Sequence, residues 1–437
     1  MIIRPAKEIH GRLELPGDKS ISHRAAILGA IACGRSRIRN FSTGEDCAAT
    51  LSCLEQLGVG IKREGADVLI DGIGRKGLRA PAAPLDCINS GTTMRLLAGI
   101  LAGQEFESTL TGDESLCSRP MERIIEPLQM MGARVSAVEG HAPLTIHGRN
   151  PLQPIDYKLL VASAQVKSCI LLAGLNANGP TRVVEGQPTR DHTERMLRWF
   201  GARVESGDGG HEGEKFASVL GPADFDAHNV TVPGDISSGA YFIAAAALID
   251  GSSLEIPNVG LNRTRTVFVE QMRSFGFNID SANVREEDNE PRGTITVSNG
   301  KKEFRRDSQP PFTIGTALIA QLIDELPLLA VIGSQLNGGI EIRNAAELRV
   351  KESDRLAATV AGLRAMGVEV EEFADGLRVN GPARLRGATI DSHGDHRIAM
   401  TFAIAGLIAH GETEIKNAEC VAVSFPEFFE LLESVVE

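Results

Sequence analysis

The stretch Leu15-Pro16-Gly17-Asp18-Lys19-Ser20-Ile21-Ser22-His23-Arg24 sets two cations, an imidazole and two hydroxyls directly before the apolar run from Ala25 to Ala32. That pattern predicts a helix starting at Asp18. Its first turns carry positive charge where the helix dipole is already positive, which is unfavourable unless an anion is bound there. The unpaired N–H groups of a helix start make phosphate or carboxylate the natural guest. A P-loop is excluded, because its two glycine places before Lys19 are held by Asp18 and Leu13.

The same device recurs. Starts rich in Ser, Thr, Asn or Asp lead into Ala/Ile/Leu-rich helices at Asp18, Asn89, Ser163, Asp235, Asp324 and Asp395, with stops near Gly34, Gly103, Gly179, Gly251, Gly338 and Gly411. Such helices are apolar almost all round and must be buried. Ser, Thr and Asp are ordinary helix caps, but Lys19, Arg24, Arg95, Lys167 and Arg397 lie in or beside these first turns. Polar starts on buried helices imply convergence on an anion-binding site. A second pattern interleaves with the first: Leu57-Gly58-Val59, Met131-Gly132-Ala133, Phe200-Gly201-Ala202, Phe275-Gly276-Phe277 and Met366-Gly367-Val368 each end an amphipathic helix and open a strand. The interval is roughly 70–90 residues, longer than that of solenoid repeats. Phe428 to Leu432 form a sixth such helix, and the chain ends before its strand. Six α/β units predict an α/β protein of two domains with three repeats each, residues 18–234 and residues 1–17 plus 235–437, with hinges at Pro16-Gly17-Asp18 and Pro233-Gly234-Asp235.

The bulk numbers narrow the partners. A chain of 437 residues with 42% hydrophobic content is too long for one core. Its net charge of -12 argues against nucleic acid. The seven cysteines form no CxxC pair and have no histidine at zinc spacing, so they read as reduced thiols and no metal is expected. The polar N-terminus and the absence of a spanning apolar run predict a cytoplasmic protein without membrane contact.

Ordered along the chain, Leu15 to Arg24, Asn89-Ser90-Gly91-Thr92-Thr93-Met94-Arg95, Arg119-Pro120-Met121, Ser163-Ala164-Gln165, Gly234-Asp235-Ile236-Ser237-Ser238, Arg349 to Arg355 and Gly394-Asp395-His396-Arg397 resemble the 5-enolpyruvylshikimate-3-phosphate synthase family over essentially the full length. The resemblance implies two inside-out α/β barrels of three repeated units each, with helix starts facing a cleft that closes on substrate. It also implies transfer of the enolpyruvyl group of phosphoenolpyruvate to the 5-hydroxyl of shikimate 3-phosphate, with release of phosphate and no cofactor. Carried over residue by residue, it assigns shikimate 3-phosphate to Lys19, Ser20, Arg24, Ser163, Ala164, Gln165, Arg190, Asp324 and Lys351. Phosphoenolpyruvate falls to Lys19, Asn89, Gly91, Arg119, Gln165, Arg355 and Arg397, and proton transfer to Lys19, Asp324, Glu352 and His396. Planar guanidinium groups suit the carboxylate and phosphate forks of these substrates. Were Lys351 to Arg355 helical, Lys351 and Arg355 would stand one turn apart with Glu352 beside them. The competing explanations are surface salt bridges for that run, a helix cap for Asp324 or Asp395, and a locally bonded structural histidine for His396.

Within the family, Arg190-Asp191-His192-Thr193-Glu194, Gly17-Asp18-Lys19-Ser20, Ser163-Ala164-Gln165-Val166-Lys167 and Asn262-Arg263-Thr264-Arg265 resemble a second, often glyphosate-tolerant branch. Val423 stands where the first branch has a lysine, Glu347 where it has an asparagine, and Leu96 where it has a proline. Glyphosate is therefore expected as a weak competitor, and the chain as a monomer. The rival readings are a UDP-N-acetylglucosamine enolpyruvyl transferase and a non-catalytic anion-binding protein. Cys117 lies only two residues before Arg119, and Lys19 is followed by Ser20, both against the first rival. The acid–base set of Lys19, Asp324 and Glu352 speaks against the second.

Overall fold

The computed structural model describes residues 1–299 and 310–437. It divides into a first unit of Pro16–Pro233 with Glu286–Glu290, and a second of Met1–Leu15, Gly234–Arg285 and Pro291–Glu437.

The first unit is one motif used three times. Its sheets run Val230–Thr231, Cys33–Arg39, Asp67–Ile73, Gly60–Glu64; then Leu85–Asp86, Glu107–Thr111, His141–His147, Arg134–Val138; then Asp156–Lys158, Pro180–Glu185, Lys215–Leu220, Val204–Asp208. In each sheet the first two strands are parallel and the others antiparallel. A parallel pair needs a crossover. The helices Lys19–Ile31, Gly91–Leu101 and Ala164–Gly174 each precede the second strand of a sheet. They are buried on nearly every side beyond the first turn, as their Ala, Gly, Ile and Leu content requires. The outer helices Glu45–Gln56, Glu122–Met130 and His192–Trp199 are amphipathic instead.

The second unit repeats the arrangement around the buried helices Ile236–Leu248, Leu326–Gly333 and His396–Leu407. One of its sheets has three strands, in the order Ile2–Ile3, Thr413–Lys416, Thr389–Asp391. This sheet takes its edge strand from the other end of the chain, with Ile2 opposite Glu414 in antiparallel register. Each unit has its own apolar core. At the end of five outer helices one glycine position, Gly58, Gly132, Gly201, Gly276 and Gly367, takes φ between +87° and +96°. This left-handed residue stops the helix and aims the chain into the next strand. No single helix among the described residues is long and apolar enough to cross a membrane.

Close packing of the central helices depends on missing side chains. A Cβ on Gly99 would stand 2.3 Å from the carbonyl oxygen of Cys169, on the neighbouring helix Ala164–Gly174. Backbone cannot yield as a flexible side chain can, so Gly99→Ala is expected to destabilise the first unit by about 1–3 kcal/mol. Gly186→Ala, which meets nothing within 4 Å, is the control. Thermal melts in which the two variants coincide would refute this account of the helix contact.

Candidate active site

In the first unit the three central helix starts are tied together by side chains. Asp18, Ser90 and Ser163 cap them, accepting from the amides of Ile21, Thr93 and Val166. Lys19 Nζ lies 2.9 Å from Asp46 Oδ2, on the outer helix Glu45–Gln56. Arg24 is buried, donating to Thr193 Oγ1 at 2.7 Å, to Ser168 Oγ at 2.8 Å and to the Ser20 carbonyl at 2.8 Å. Arg95 donates to Gln165 Oε1 at 2.7 Å, and Gln165 Nε2 donates to Thr92 Oγ1 at 2.8 Å. Arg119 grips Asn89 at Oδ1 (2.6 Å) and at its carbonyl (3.2 Å). A Cβ on Gly91 would meet Arg95 Nη1 at 2.7 Å and Arg119 Nη1 at 3.4 Å, so two guanidinium groups lie against this helix start. Ala164 opens its helix, and its carbonyl accepts from Ser168. Arg190 is half-buried, just before the helix His192–Trp199 whose Thr193 holds Arg24.

Two buried groups brace this cluster. His23 Nδ1 lies 2.7 Å from Thr50 Oγ1, which is 2.6 Å from Thr93 Oγ1. Burial, then the nearby charges of Lys19 and Arg24, hold the imidazole well below its ordinary pKa. Lys167 lies 2.8 Å from Glu194 and 3.0 Å from Glu185. Burial alone would lower its ammonium, but the two carboxylates carry it upward. Burial also raises Glu185.

The second unit gathers charge of both signs. Arg355, 1% exposed, reaches Asp395 through Nε at 2.8 Å and Nη2 at 3.3 Å, Glu352 at 2.6 Å and Asp324 at 3.4 Å. Burial opposes its charge, yet Asp395 and Glu352 raise its pKa further. Arg397 is also buried, with Asp324 at 3.7 Å and Glu325 at 3.8 Å. Tyr241, its phenol pushed up to about 12 by burial, interacts with Arg397. Lys351 lies among Asp324, Glu352 and Glu347, and burial lowers its ammonium below the ordinary value. His396 begins the helix His396–Leu407 and is buried.

Some local expectations change. Residues 351–354 are not helical and the helix begins at Arg355, so Glu352 meets Arg355 from a bend. Ser90 rather than Asn89 caps its helix. Glu325 occupies the cap place before Leu326 and Pro327 without making a cap bond, and Asp324 turns to the two arginines. Asp395 does cap its helix, accepting from the amide of Arg397 at 2.9 Å, while it also chelates Arg355. Surface pairing does describe Arg349, which bonds Asp354 and Glu372. Sequence reasoning passed over Asp46, Ser168, Ser237, Glu325 and Tyr241. A lone residue on a helix gives no spacing signal, so only the fold could show which cation it faces.

Comparison with known proteins gives the family. The profile of EPSP synthase (3-phosphoshikimate 1-carboxyvinyltransferase) matches residues 3–432. The 3-phosphoshikimate 1-carboxyvinyltransferase of Koribacter versatilis is 50% identical over 436 residues, covering 100% of this chain and 99% of its own. That of Geobacillus kaustophilus is 47% identical, covering 98% of each. The structure of EPSP synthase from Acinetobacter baumannii superposes with a TM-score of 0.85 at 40% identity, covering 100% of this chain and 97% of that one. The enolpyruvyl transferase NikO of Streptomyces tendae shares the fold, with a TM-score of 0.77 at 19% identity over 99% of this chain and 96% of that one. The chain belongs to the EPSP synthase family and is an enzyme of the enolpyruvyl transferase class.

The buried imidazole has a measurable consequence. The folded protein keeps His23 neutral, while the unfolded chain takes up a proton below about pH 6.5. Its contribution is therefore intact above that pH and is lost on acidification, by up to about 1.4 kcal/mol per pH unit. His23→Gln removes this term. The urea midpoint of the variant relative to the parent should rise between about pH 7.5 and 5.5, and a difference independent of pH would show that His23 is not the group responsible.

Proposed function

We propose that the polar helix starts of the two units perform the reaction between shikimate 3-phosphate and phosphoenolpyruvate with the division of labour that follows. Lys19, Ser20, Arg24, Ser163, Ala164, Gln165 and Arg190, with Asp324 and Lys351, hold shikimate 3-phosphate. Lys19, Asn89, Gly91, Arg119, Gln165, Arg355 and Arg397 hold phosphoenolpyruvate. The 5-hydroxyl loses its proton and attacks C2 of phosphoenolpyruvate as C3 gains a proton. The resulting tetrahedral ketal phosphate then expels phosphate, and C3 returns a proton to give the enolpyruvyl ether. Lys19, Asp324, Glu352 and His396 supply and accept these protons.

The observation that carries the reading is the contact of Arg355 with Glu352 at 2.6 Å and Asp324 at 3.4 Å. A guanidinium fixed beside two carboxylates puts anion binding and proton transfer within one side chain's reach. Phosphate release from the purified protein with both substrates tests the reaction itself. Glu352→Gln should lower kcat by roughly 10²- to 10⁴-fold, with shikimate 3-phosphate affinity held within about threefold. Full activity in that variant would remove Glu352 from the mechanism.

The second-branch motifs support a finer reading, that glyphosate competes only weakly with phosphoenolpyruvate. Gly91 is retained beside Arg95 and Arg119, so tolerance here is partial and is attributed to Leu96, in the helix Gly91–Leu101. The inhibition constant should lie well above that of a sensitive first-branch enzyme assayed in parallel. Equal constants would end this reading and leave the reaction untouched.

A further inference from the structure

The segment Asn262-Arg263-Thr264-Arg265 has no part in the roles above. Asn262 builds a tight turn there: its Oδ1 accepts from the amide (2.9 Å) and hydroxyl (2.8 Å) of Thr264, and its carbonyl accepts from the amide of Arg265 at 2.8 Å. The turn delivers Arg265 to the interior of the second unit. Its Nη2 donates to Asp235 Oδ1 at 3.1 Å and to Ser237 Oγ at 2.8 Å. With its oxygen engaged by Arg265, the Ser237 hydroxyl gives its own proton to Glu325 Oε1. The same Oε1 faces Arg397 Nη1 across 3.8 Å, and Arg397 Nη2 lies 3.7 Å from Asp324. Asp235, Ser237, Arg265, Glu325 and Arg397 are all more than nine-tenths buried, and Arg397 Nη1 makes no hydrogen bond.

A buried carboxylate and guanidinium free to move would close to about 2.8 Å and share a hydrogen bond. Here they stay apart. We propose that Arg265 and Ser237 are positioning residues that hold the Glu325 carboxylate back from Arg397, so that Arg397 keeps N–H groups available for an anionic substrate. This rests on Arg397 as a phosphoenolpyruvate ligand. The sequence of contacts runs from the Asn262 turn through Arg265 and Ser237 to Glu325, and its effect is to keep the Glu325 carboxylate from pairing with Arg397. Loss of the Ser237 hydroxyl removes one hold on Glu325 and lets its carboxylate close on the guanidinium and compete with phosphoenolpyruvate.

Steady-state kinetics of Ser237→Ala, Glu325→Gln, the double variant and Arg397→Lys test this. Ser237→Ala should raise KM for phosphoenolpyruvate roughly tenfold, with kcat and KM for shikimate 3-phosphate within about twofold of the parent. In the Glu325→Gln background position 325 has no carboxylate to close on Arg397, so adding Ser237→Ala should change KM by less than about twofold. An equal rise in both backgrounds marks a merely structural serine and overturns the proposal, as does no rise in either. Should Arg397→Lys raise KM for phosphoenolpyruvate while Ser237→Ala does not, the positioning role alone fails. Should Arg397→Lys leave KM unchanged, the assignment of Arg397 fails and the inference with it.

Discussion

Cations placed at the start of buried helices are the constraint around which the rest of the structure is arranged. The helix start already carries about half a positive charge, and an interior site gives little solvent to screen an added one. The two units answer differently. In the first, Arg24, Arg95 and Arg119 donate to hydroxyl, carbonyl and amide oxygens of Thr193, Ser168, Ser20, Gln165 and Asn89. In the second, Arg355 and Arg397 face the carboxylates of Asp395, Glu352, Asp324 and Glu325. Neutral oxygens orient a guanidinium while leaving its charge in place, whereas Lys19 and Lys167 of the same unit pair with Asp46, Glu185 and Glu194. Carboxylates neutralise the charge and can also exchange protons.

Such side chains must be held closely to be useful, and the repeat supplies the rigidity. A central helix whose body is Ala, Gly, Ile and Leu can be surrounded by its neighbours, which fixes its first turn in space. Gly99 against the Cys169 carbonyl and Gly362 against the Phe402 ring are places where a methyl group would push the packing apart. The fold therefore confines sequence freedom in the helix bodies and places variety in the first turns. Lys19, Gly91, Ala164, Ile236, Leu326 and His396 begin the six central helices and share almost no chemistry.

That division explains what could be read in advance. Helix starts at Asp18, Ser163, Asp235 and Asp395 and stops at Gly58, Gly132, Gly201, Gly276 and Gly367 were legible, because capping and left-handed backbone are local demands. The two-domain α/β class followed from counting units, although the inside-out barrel came from resemblance. What escaped was set by long-range contact. Ile2–Ile3 completes a sheet more than 400 positions away, and no local pattern in so short a segment announces it. The break before Arg355 escaped because a charged run satisfies helical spacing equally well on paper; Asp354 capping the amide of Ala357 is what ends the ambiguity. Asp46 and Glu325 were invisible as partners of Lys19 and Arg397, since each needs a second helix to give it meaning.

The carboxylates around Arg355 are also sorted by geometry into different kinds. Asp395 is fully enclosed and accepts twice from Arg355 and once from the amide of Arg397. Removing its partner would leave a buried charge uncompensated, at about 3–5 kcal/mol. Asp324 and Glu352 keep 18% of their side-chain surface open, and Asp324 meets its two arginines only at 3.4 and 3.7 Å. A carboxylate that exchanges protons with a bound molecule needs that access, which the enclosed Asp395 lacks. The same guanidinium thus encloses one carboxylate while leaving two others partly exposed, so a single buried arginine joins three acidic groups that differ in what can reach them.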